Sequence, residues 1–520
     1  MRLSALGAGA ALAFLALGTG PAAGEPPFAS SPLATILANV DAASGTEPPG
    51  VSVEDWALSA YGLTGTEHVV RGADDLRVMT TLGPFLDQEG RYRGQAWRQN
   101  ANGVTVLLSK NGAGRPSVTS QTFLGALRER AHLRLAGTLG SGAATDYVLE
   151  DAAMHRRIVV DGRAWLPVRV VLELPGRRVV FTADGFQTHD GYRMPAHIHA
   201  RDSLSPKNDI DWRLTGFRSN ADDARAELAI PGSDRPLALF PRGVSRVELP
   251  AHFIGPHVIL RATVDGAPLD VLLDSGSSET ALDTAAVRAL GLREYGNSVE
   301  IAAGKYAQSR IFVPELRLGR LTLRNLAASS LPFDFKPRPG VRALGLVGFD
   351  LFADAVIHVD YQHQRVEAIA PRAFHPGALR DAAVLPVSID DGVALTPLRI
   401  DGNEARFVLD TGSPDAVVFA AFARAHAELQ ATASVEKAGG IGGSLRLAPV
   451  QLTSLDFAGQ SFGDFGVQEA LDPTAFETSG ADGLMGYQFM RLFDWYFDEA
   501  GGAAYATPNE AFAQLKSRTN

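Results

Sequence analysis

Two stretches of this chain nearly repeat each other: Val264-Asp-Gly-Ala-Pro-Leu-Asp-Val-Leu-Leu-Asp-Ser-Gly-Ser-Ser278 and Ile400-Asp-Gly-Asn-Glu-Ala-Arg-Phe-Val-Leu-Asp-Thr-Gly-Ser-Pro414. In each stretch an apolar run ends at an aspartate, which is followed by a hydroxyl residue, a glycine and a serine. The spacing between Asp274 and Asp410 also separates Gly304 from Gly440. The pattern therefore indicates an internal duplication.

A second pair of short segments supports the duplication. Gly345-Leu-Val-Gly348 follows the first aspartate and Gly483-Leu-Met-Gly486 follows the second, at a spacing that differs only slightly from that of the aspartates. One loop can absorb so small a difference. The sequence therefore predicts two homologous lobes, at 247–371 and 384–507.

Each aspartate is predicted to lie at the end of a strand. Leu269–Leu273 and Ala405–Leu409 are apolar runs of strand length, and the glycine two positions after each aspartate permits a sharp turn. If the lobes pack around a pseudo-twofold axis, Asp274 and Asp410 share one site. Like charges that close cannot both ionise, so one carboxylate acts as a base toward water while the other, protonated, polarises a carbonyl. Such a pair hydrolyses peptide bonds without a metal.

These residues resemble those of the retropepsin-like and pepsin-like aspartic proteases, whose signature is Asp-Thr/Ser-Gly, in the form of a bacterial family protein with both lobes in one chain. The resemblance covers Val247 to Pro508. It implies that Ser275 and Thr411 exchange hydrogen bonds across the axis, and that Gly276 and Gly412 donate backbone N–H groups to the carboxylates. It also places apolar-apolar-glycine segments behind the aspartates, at Gly345, Gly348, Gly483 and Gly486.

The same resemblance implies a β-hairpin flap over the cleft. The candidate turns contain Gly304 and Tyr306 in lobe 1 and Gly439 and Gly440 in lobe 2. Glycine suits a hairpin tip that must move. Tyr306 either covers substrate or is a surface aromatic, and the sequence leaves both readings open.

Ser277 and Ser413 are expected to hydrogen-bond the outer carboxylate oxygens. In the family a hydroxyl at this position accompanies lower pKa values of the pair than alanine does, so we expect better activity at acidic pH than near neutrality. The resemblance also implies a helix within 278–292. The lobes differ where Pro414 replaces Ser278 and Gln488 replaces Asp350.

The first 24 residues are predicted to be a signal peptide, with Arg2, an apolar run and a small-residue cleavage site before Glu25. The protein is therefore expected to be exported from a bacterium, to the periplasm or beyond it, with no stable membrane span after signal removal. Its net charge of −10 argues against nucleic acid as the main partner. The chain has no cysteine, so disulfides say nothing about its compartment.

Residues 25–240 are predicted to form a β-rich accessory domain with antiparallel strands and a few helices. Alternating apolar residues separated by Asp-Gly and Pro-Gly turns indicate the strands. Helices are predicted at Leu33–Ala42 and Thr122–Ala131. The stretch Asp190–Ile198, together with residues 212–232, loosely resembles the periplasmic lipoprotein-carrier fold, which implies an apolar pocket. His197 and His199 share a strand face but lack a third metal ligand at a recognisable spacing, so no metal is expected.

The sequence thus predicts a mainly β chain: a two-lobed acid-protease fold preceded by an antiparallel α+β domain. The predicted function is an aspartic endopeptidase that acts on peptide or protein substrates through Asp274 and Asp410, without a cofactor and without an obligatory homodimer. One alternative is a catalytically inactive periplasmic protein that binds a peptide or lipid in the same cleft and in the N-terminal domain. Another is self-processing between Pro231 and Val247.

Overall fold

The computed structural model describes most of the chain, namely residues 32–109, 118–128, 130–142, 145–152, 154–174, 176–233, 236–333, 335–390, 392–426, 429, 435–457, 460–472 and 480–519. The predicted signal peptide, 1–24, lies outside the described residues. The chain divides into two compact units, Met1–Glu47 with Val118–Ile198, and Pro48–Ser117 with His199–Asn520. Within the described part, no helix is long and apolar enough to cross a membrane.

The larger unit opens with an antiparallel sheet. In its first strand, Trp56, Leu58 and Ala60 are buried and alternate with less buried residues, so one face of the strand is turned to the core of the unit. The strands are β1 (Ser52–Ala60), β2 (Leu63–Arg71), β3 (Leu76–Leu82), β4 (Phe85–Tyr92), β5 (Gln95–Gln99) and β6 (Thr105–Leu107). They pair in sequence order through short turns.

The smaller unit contains helices α1 (Pro32–Ser44) and α2 (Ser120–Leu124) and a second set of antiparallel strands. These are β7 (Leu133–Leu139), β8 (Asp146–Asp151), β9 (Arg156–Val160), β10 (Pro167–Leu174), β11 (Arg177–Asp184), β12 (Gln187–His189) and β13 (Tyr192–Met194). Their order is β11-β10-β9-β8-β7, and β12 and β13 form a separate hairpin. The helix predicted at Thr122–Ala131 ends at Leu124, because Gly125 caps it.

The chain returns to the larger unit through β14 (His197–Asp202) and β15 (Ile210–Arg218), and β15 pairs with β1. Lobe 1 follows, with helices α3 (Thr284–Ala289) and α4 (Phe349–Phe352). Its strands are β16 (Ala238–Leu239), β17 (Arg246–Leu249), β18 (Ala251–Ile254), β19 (His257–Val264), β20 (Ala267–Leu273), β21 (Ala281–Asp283), β22 (Glu294–Ile301), β23 (Lys305–Leu318), β24 (Leu321–Leu331), β25 (Phe335–Arg338), β26 (Val341–Ala343), β27 (Gly345–Val347), β28 (Val356–Asp360) and β29 (Arg365–Ile369).

Lobe 2 contains helices α5 (Ala420–Ala425) and α6 (Tyr487–Met490), and α7 (Glu510–Thr519) follows it. Its strands are β30 (Ala383–Pro386), β31 (Ser388–Asp390), β32 (Val393–Ile400), β33 (Asn403–Leu409), β34 (Val417–Val418), β35 (Glu436–Gly440), β36 (Gly443–Phe457), β37 (Gln460–Ala470), β38 (Gly483–Met485), β39 (Phe493–Asp498) and β40 (Ala503–Pro508).

The two lobes have the same strand order. Lobe 1 runs β27-β20-β19-β23-β22 on one side of β21, with β24 on its other side, and lobe 2 repeats this as β38-β33-β32 and β37-β36-β35 around β34. In both lobes the strand that ends at an aspartate pairs in parallel with the following Gly-apolar-apolar strand. The mainly β fold class with duplicated lobes is confirmed.

A six-stranded sheet joins the lobes, in the order β17-β29-β28-β39-β40-β30. Its central pair is β28 of lobe 1 against β39 of lobe 2. In β39, Phe493, Trp495 and Phe497 are buried and alternate with more polar residues. One apolar core beneath this sheet includes residues of both lobes, so the lobes are held together by burial of apolar surface as well as by strand pairing.

His358 adds an ionic link across the centre of this sheet. Its Nδ1 lies 3.0 Å from Glu367 Oε2 in its own lobe, and its Nε2 lies 2.7 Å from Asp494 Oδ1 in lobe 2. The ring stacks on Tyr496 at 4.1 Å between centroids. Burial lowers the pKa of His358, but hydrogen bonds and charge from Asp494 and Glu367 outweigh it and hold that pKa above its usual value.

The His358→Gln variant tests this link. A group whose pKa is raised in the folded state stabilises that state fully below its unfolded pKa, and the contribution is lost as pH rises through the folded pKa. We therefore expect the free energy of unfolding to fall by about 2 kcal/mol at pH 5 and by clearly less at pH 8, measured by denaturant titration. The control variant is His363→Gln, because His363 lies exposed in the turn after β28 and pairs there with Asp360, the last residue of that strand. Equal losses at both pH values for His358→Gln would contradict the ionic role.

Candidate active site

Asp274 and Asp410 occupy equivalent positions at the ends of β20 and β33. The backbone N–H of Asp274 donates to Val347 O at 3.0 Å, and that of Asp410 donates to Met485 O at 3.0 Å. Each aspartate is thus fixed by the strand beside its own before the chain turns away. The predicted Asp-Ser/Thr-Gly turns lie side by side at the junction of the lobes.

Ser275 and Thr411 lock the two turns to each other. Ser275 N donates to Thr411 Oγ1 and Thr411 N donates to Ser275 Oγ, both at 3.0 Å. Each hydroxyl then donates across the junction, Ser275 Oγ to Leu409 O at 2.6 Å and Thr411 Oγ1 to Leu273 O at 2.8 Å. Both side chains are buried. The four bonds satisfy every donor involved and fix the relative position of the two aspartates.

The glycines of the motifs allow the carboxylates to approach the opposite backbone. A Cβ at position 276 would lie 2.6 Å from Asp410 Cγ, and a Cβ at position 412 would lie 2.7 Å from Asp274 Cγ. Gly276 N donates to Asp274 Oδ1 at 3.1 Å, and Gly412 N donates to Asp410 Oδ1 at 2.8 Å. Any larger residue would push one carboxylate away from the other.

The four glycines behind the aspartates have the same steric basis. A Cβ at position 348 would meet Ser277 O at 2.6 Å, and one at position 486 would meet Ser413 O at 2.6 Å. Gly345 and Gly483 begin β27 and β38, where a Cβ would contact the backbone of the neighbouring strand at 2.5 Å or less. These glycines allow each short strand to pack directly beneath an aspartate turn.

The two carboxyl groups titrate as a pair. Burial, the Asp410 charge and a hydrogen bond from Asp274 to Asp410 hold the pKa of Asp274 well above its usual range. Burial also raises the pKa of Asp410, although the N–H groups of Gly412 and Ser413 and the bond from Asp274 oppose this rise. Both carboxyl groups are therefore harder to ionise than an ordinary aspartate, and the pair is expected to share one proton.

Ser277 and Ser413 do not make the hydrogen bonds expected of them. Ser277 Oγ donates to Glu279 O at 2.8 Å, and Ser413 Oγ donates to Asp415 O at 3.1 Å. In lobe 2 it is the backbone of the serine that bonds the carboxylate, since Ser413 N donates to Asp410 Oδ1 at 3.1 Å. The expectation was wrong because a local carbonyl two residues on satisfies each hydroxyl within its own turn.

The predicted flaps are two hairpins whose tips touch. Flap 1 is β22–β23 with its tip at 302–304, and flap 2 is β35–β36 with its tip at 441–442. Ala303 N donates to Ile441 O at 3.0 Å, and a Cβ at position 304 would meet Gly442 O at 2.1 Å. Gly439 and Gly440 end β35 just before the tip, and Tyr306 is half-buried beside Ile441 in a shared apolar cluster.

The outer edge of flap 1 is covered by residues that precede lobe 1. The Asn208 side chain behaves like a strand backbone: its Nδ2 donates to Val299 O at 2.7 Å and its Oδ1 accepts from Val299 N at 2.8 Å. Asn297 N donates to Tyr61 O at 2.9 Å. As a result β22 is half-buried along most of its length, whereas most residues of β35 in flap 2 are exposed.

The remaining candidates lie apart from this site. His197 pairs with Asp184 and His199 with Asp211, so these two histidines already face carboxylates. Within the described residues, His358 and Asp360 of β28 and Asp494 of β39 bring three atoms that could bind a metal to within 4.8 Å of one another. Both nitrogens of His358 already bond carboxylates, which identifies the group as the ionic link between the lobes.

The sequence analysis missed Asn102, Asn208 and the role of Asp350. Asn208 covers the edge of flap 1, and Asn102 contacts Asp350 behind the Asp274 turn. Asparagines in polar turns carry no periodic signal, so their tertiary partners could not be read from the chain. The replacement of Asp350 by Gln488 in lobe 2 was the single available hint.

One comparison with known proteins agrees with this geometry. A family model described as aspartyl protease matches the chain twice, at residues 260–351 and 396–489. A comparison with curated proteins gave no match. Among solved structures, a LolA superfamily protein from Nitrosomonas europaea is 15% identical with a TM-score of 0.29, and the match covers 36% of this chain and 95% of that one. A DUF1329 family protein from Desulfovibrio piger is 12% identical with a TM-score of 0.28, covering 38% and 97%.

Each lobe contains one of the two family matches, and each match includes the aspartate, its turn and the glycine segment behind it. The resemblance derived from the paired motifs is confirmed: each lobe is similar to the aspartyl protease family model, so the chain contains two aspartyl protease-like lobes.

Proposed function

We propose that this protein is an exported aspartic endopeptidase that hydrolyses peptide bonds with a water activated between Asp274 and Asp410. The observation that carries the proposal is the pair of carboxylates, each of which lies against the glycine of the opposite motif at the junction of two equivalent turns. The turns are locked by Ser275 and Thr411. Export rests on the sequence of residues 1–24 and is part of the proposal.

In the proposed reaction the two carboxyl groups have opposite roles. The charged Asp410 accepts a proton from water, whose oxygen attacks the scissile carbonyl carbon, while Asp274 gives its proton to the carbonyl oxygen. Asp410 then returns a proton to the amide nitrogen, Asp274 recovers one from the tetrahedral intermediate, and the C–N bond breaks. Protons and electrons balance within the pair, so no cofactor is required.

The substrate in this proposal is an extended peptide segment beneath the flap tips. The tips meet through backbone atoms and small residues at Ala303, Gly304 and Gly442. Backbone groups at a flap tip recognise the substrate main chain more than its side chains. Because each lobe supplies one aspartate and one flap, a single chain contains the whole proposed site and needs no second copy.

Cleavage of a denatured protein by the purified chain tests this function. We expect Asp274→Asn and Asp410→Asn each to lower kcat about a thousandfold or more, since either change removes one partner of a unit. Asp265→Asn is a matched control, because Asp265 is an exposed aspartate in the β19–β20 turn with a positive φ that asparagine tolerates. Unchanged cleavage by either dyad variant would exclude the mechanism. Absence of cleavage by the folded parent protein would favour the binding alternative.

The pH dependence of kcat/KM provides a second test. Activity requires one proton on the pair, so it falls at low pH when Asp410 is protonated and at high pH when Asp274 loses its proton. Because burial and the Asp410 charge raise the pKa of Asp274, the alkaline limb is expected above the usual aspartate range, with the maximum still below neutrality. Ser277→Ala should leave the profile in place, since that hydroxyl bonds Glu279 O. A maximum above pH 7 would contradict the assignment.

A further inference from the structure

Asp350 is a fully buried carboxylate directly behind the Asp274 turn. Its Oδ2 accepts from Thr280 N at 2.7 Å, and its Oδ1 accepts from Asn102 Nδ2 at 2.8 Å, with a longer contact of 3.5 Å from Asn100 Nδ2. Burial raises the pKa of Asp350, and these donors oppose that rise. The carboxylate therefore depends on neutral N–H donors for its stability.

Asn102 is held in one orientation. It is 5% exposed, its Oδ1 accepts from Ala327 N at 2.7 Å, and its Nδ2 donates to Ala327 O at 2.8 Å. The second Nδ2 hydrogen is directed to Asp350. The preceding turn is shaped by Asn100, whose Oδ1 accepts from the N–H groups of Asn102 and Val104. Every polar atom of the Asn102 side chain is thus satisfied, and only an amide fits.

Through Asp350, Asn102 reaches the loop that contains Asp274. Phe349 N donates to Ser277 O at 2.9 Å and Ser329 N donates to Thr280 O at 3.0 Å, so 277–280 is supported on both sides of the Asp350–Thr280 bond. Val104 and Val106 also pack against the apolar cluster that contains Phe349, Ile389 and Ala394.

Among the described residues, the equivalent turn of lobe 2 is supported by bonds from its own lobe. Tyr487 N donates to Ser413 O at 2.9 Å, as Phe349 does in lobe 1. At the position of Asp350 stands Gln488, whose Nε2 donates to Gly466 O of its own lobe at 2.8 Å. The amide of Gln488 is neutral and donates within its own lobe. The carboxylate of Asp350 instead accepts from Asn102, which lies in the β5–β6 turn of the first sheet (β1–β6, called the N-terminal sheet below).

We propose that Asn102 is a positioning residue for the proposed hydrolysis: by donating to Asp350 it fixes the Thr280 end of the Asp274 loop, so the N-terminal sheet completes the lobe 1 half of the active site. The inference rests on the proposed function for its kinetic consequence. In this proposal the β5–β6 turn, which contains Asn102, helps to position the Asp274 loop.

Three variants test the proposal. Asn102→Asp keeps the shape of the side chain but removes both donated bonds and places a second carboxylate against Asp350. In Asp350→Asn, either orientation of the new amide sets a donor against a donor, at Asn102 or at Thr280. In the double variant Asn102→Asp/Asp350→Asn, the amide introduced at position 350 can accept from Thr280 N and donate to the carboxylate introduced at position 102, which restores the connection.

We expect each single variant to lower kcat about tenfold or more, with KM changed by less than about twofold, because misplacement of a catalytic group costs rate more than binding. The double variant should recover most of the loss. Losses that multiply in the double variant, or single variants with parental kcat, would overturn the proposal.

The pH profile separates positioning from a merely structural role. In Asn102→Asp the two facing carboxylates share a proton at low pH, and the protonated one donates again, so kcat relative to the parent should rise as pH falls. The double variant should lack this recovery. Asn509→Asp controls for the new charge and a lost amide–carbonyl bond, because Asn509 donates to Arg491 O on an exposed surface. It should follow the parent profile, and a pH-independent loss in Asn102→Asp would contradict the inference.

Amide hydrogen exchange at Thr280 distinguishes this inference from the proposed function. Its N–H donates to Asp350, so Asn102→Asp should speed exchange at Thr280 at least several-fold, and the double variant should restore protection. If the parent protein cleaves no peptide but this pattern appears, the proposed function fails while the connection from Asn102 to the loop stands. Unchanged protection of Thr280 in Asn102→Asp would overturn the connection itself.

Discussion

The structure of both lobes depends on one close contact, in which the carboxylates of Asp274 and Asp410 lie against each other's glycine backbone. Neither turn has room for a side chain at position 276 or 412. Two partly charged groups remain this close only when the surrounding chain prevents them from separating. The exchanged Ser275 and Thr411 bonds do this locally, and the six-stranded sheet with its shared core does it for whole lobes.

The duplication is close in topology but not in surroundings. Both lobes repeat the same strand order and the same parallel pairing beneath the aspartate. Lobe 1, however, contacts the N-terminal sheet through Asp350 and through β22, whereas the corresponding Gln488 bonds within lobe 2. The two side chains have different hydrogen-bonding requirements. A buried carboxylate can only accept, so Asp350 needs donors from elsewhere in the chain, whereas the amide of Gln488 can itself donate to a carbonyl. The N-terminal sheet (β1–β6) and the residues next to it also contact both lobes elsewhere, through Asp87 with Arg310 of β23 and through Ser109 with Asp390 of β31.

Local signals predicted the parts of the site that depend on local chemistry. An apolar strand followed by Asp, a hydroxyl residue and glycine indicated the two turns, and their repetition indicated the lobes. The candidate flap segments 302–306 and 439–443 contain the two hairpin turns, at 302–304 and 441–442. The hydroxyls of Ser277 and Ser413 were assigned to the wrong acceptors, because a nearby carbonyl competes successfully with a carboxylate. Contacts such as Asn102 with Asp350 join residues far apart in the chain and carry no local pattern.

The covered edge of β22 gives the two flaps different freedom. An edge strand with free backbone groups can peel away at little cost, whereas one whose N–H and C=O groups are paired must first break those bonds. Val299 and Asn297 are paired in this way, so the edge of flap 1 cannot separate without breaking these bonds, whereas most residues of β35 in flap 2 are exposed. Two copies of one hairpin, equal in strand order, therefore differ in how much backbone pairing must be broken before each can open locally.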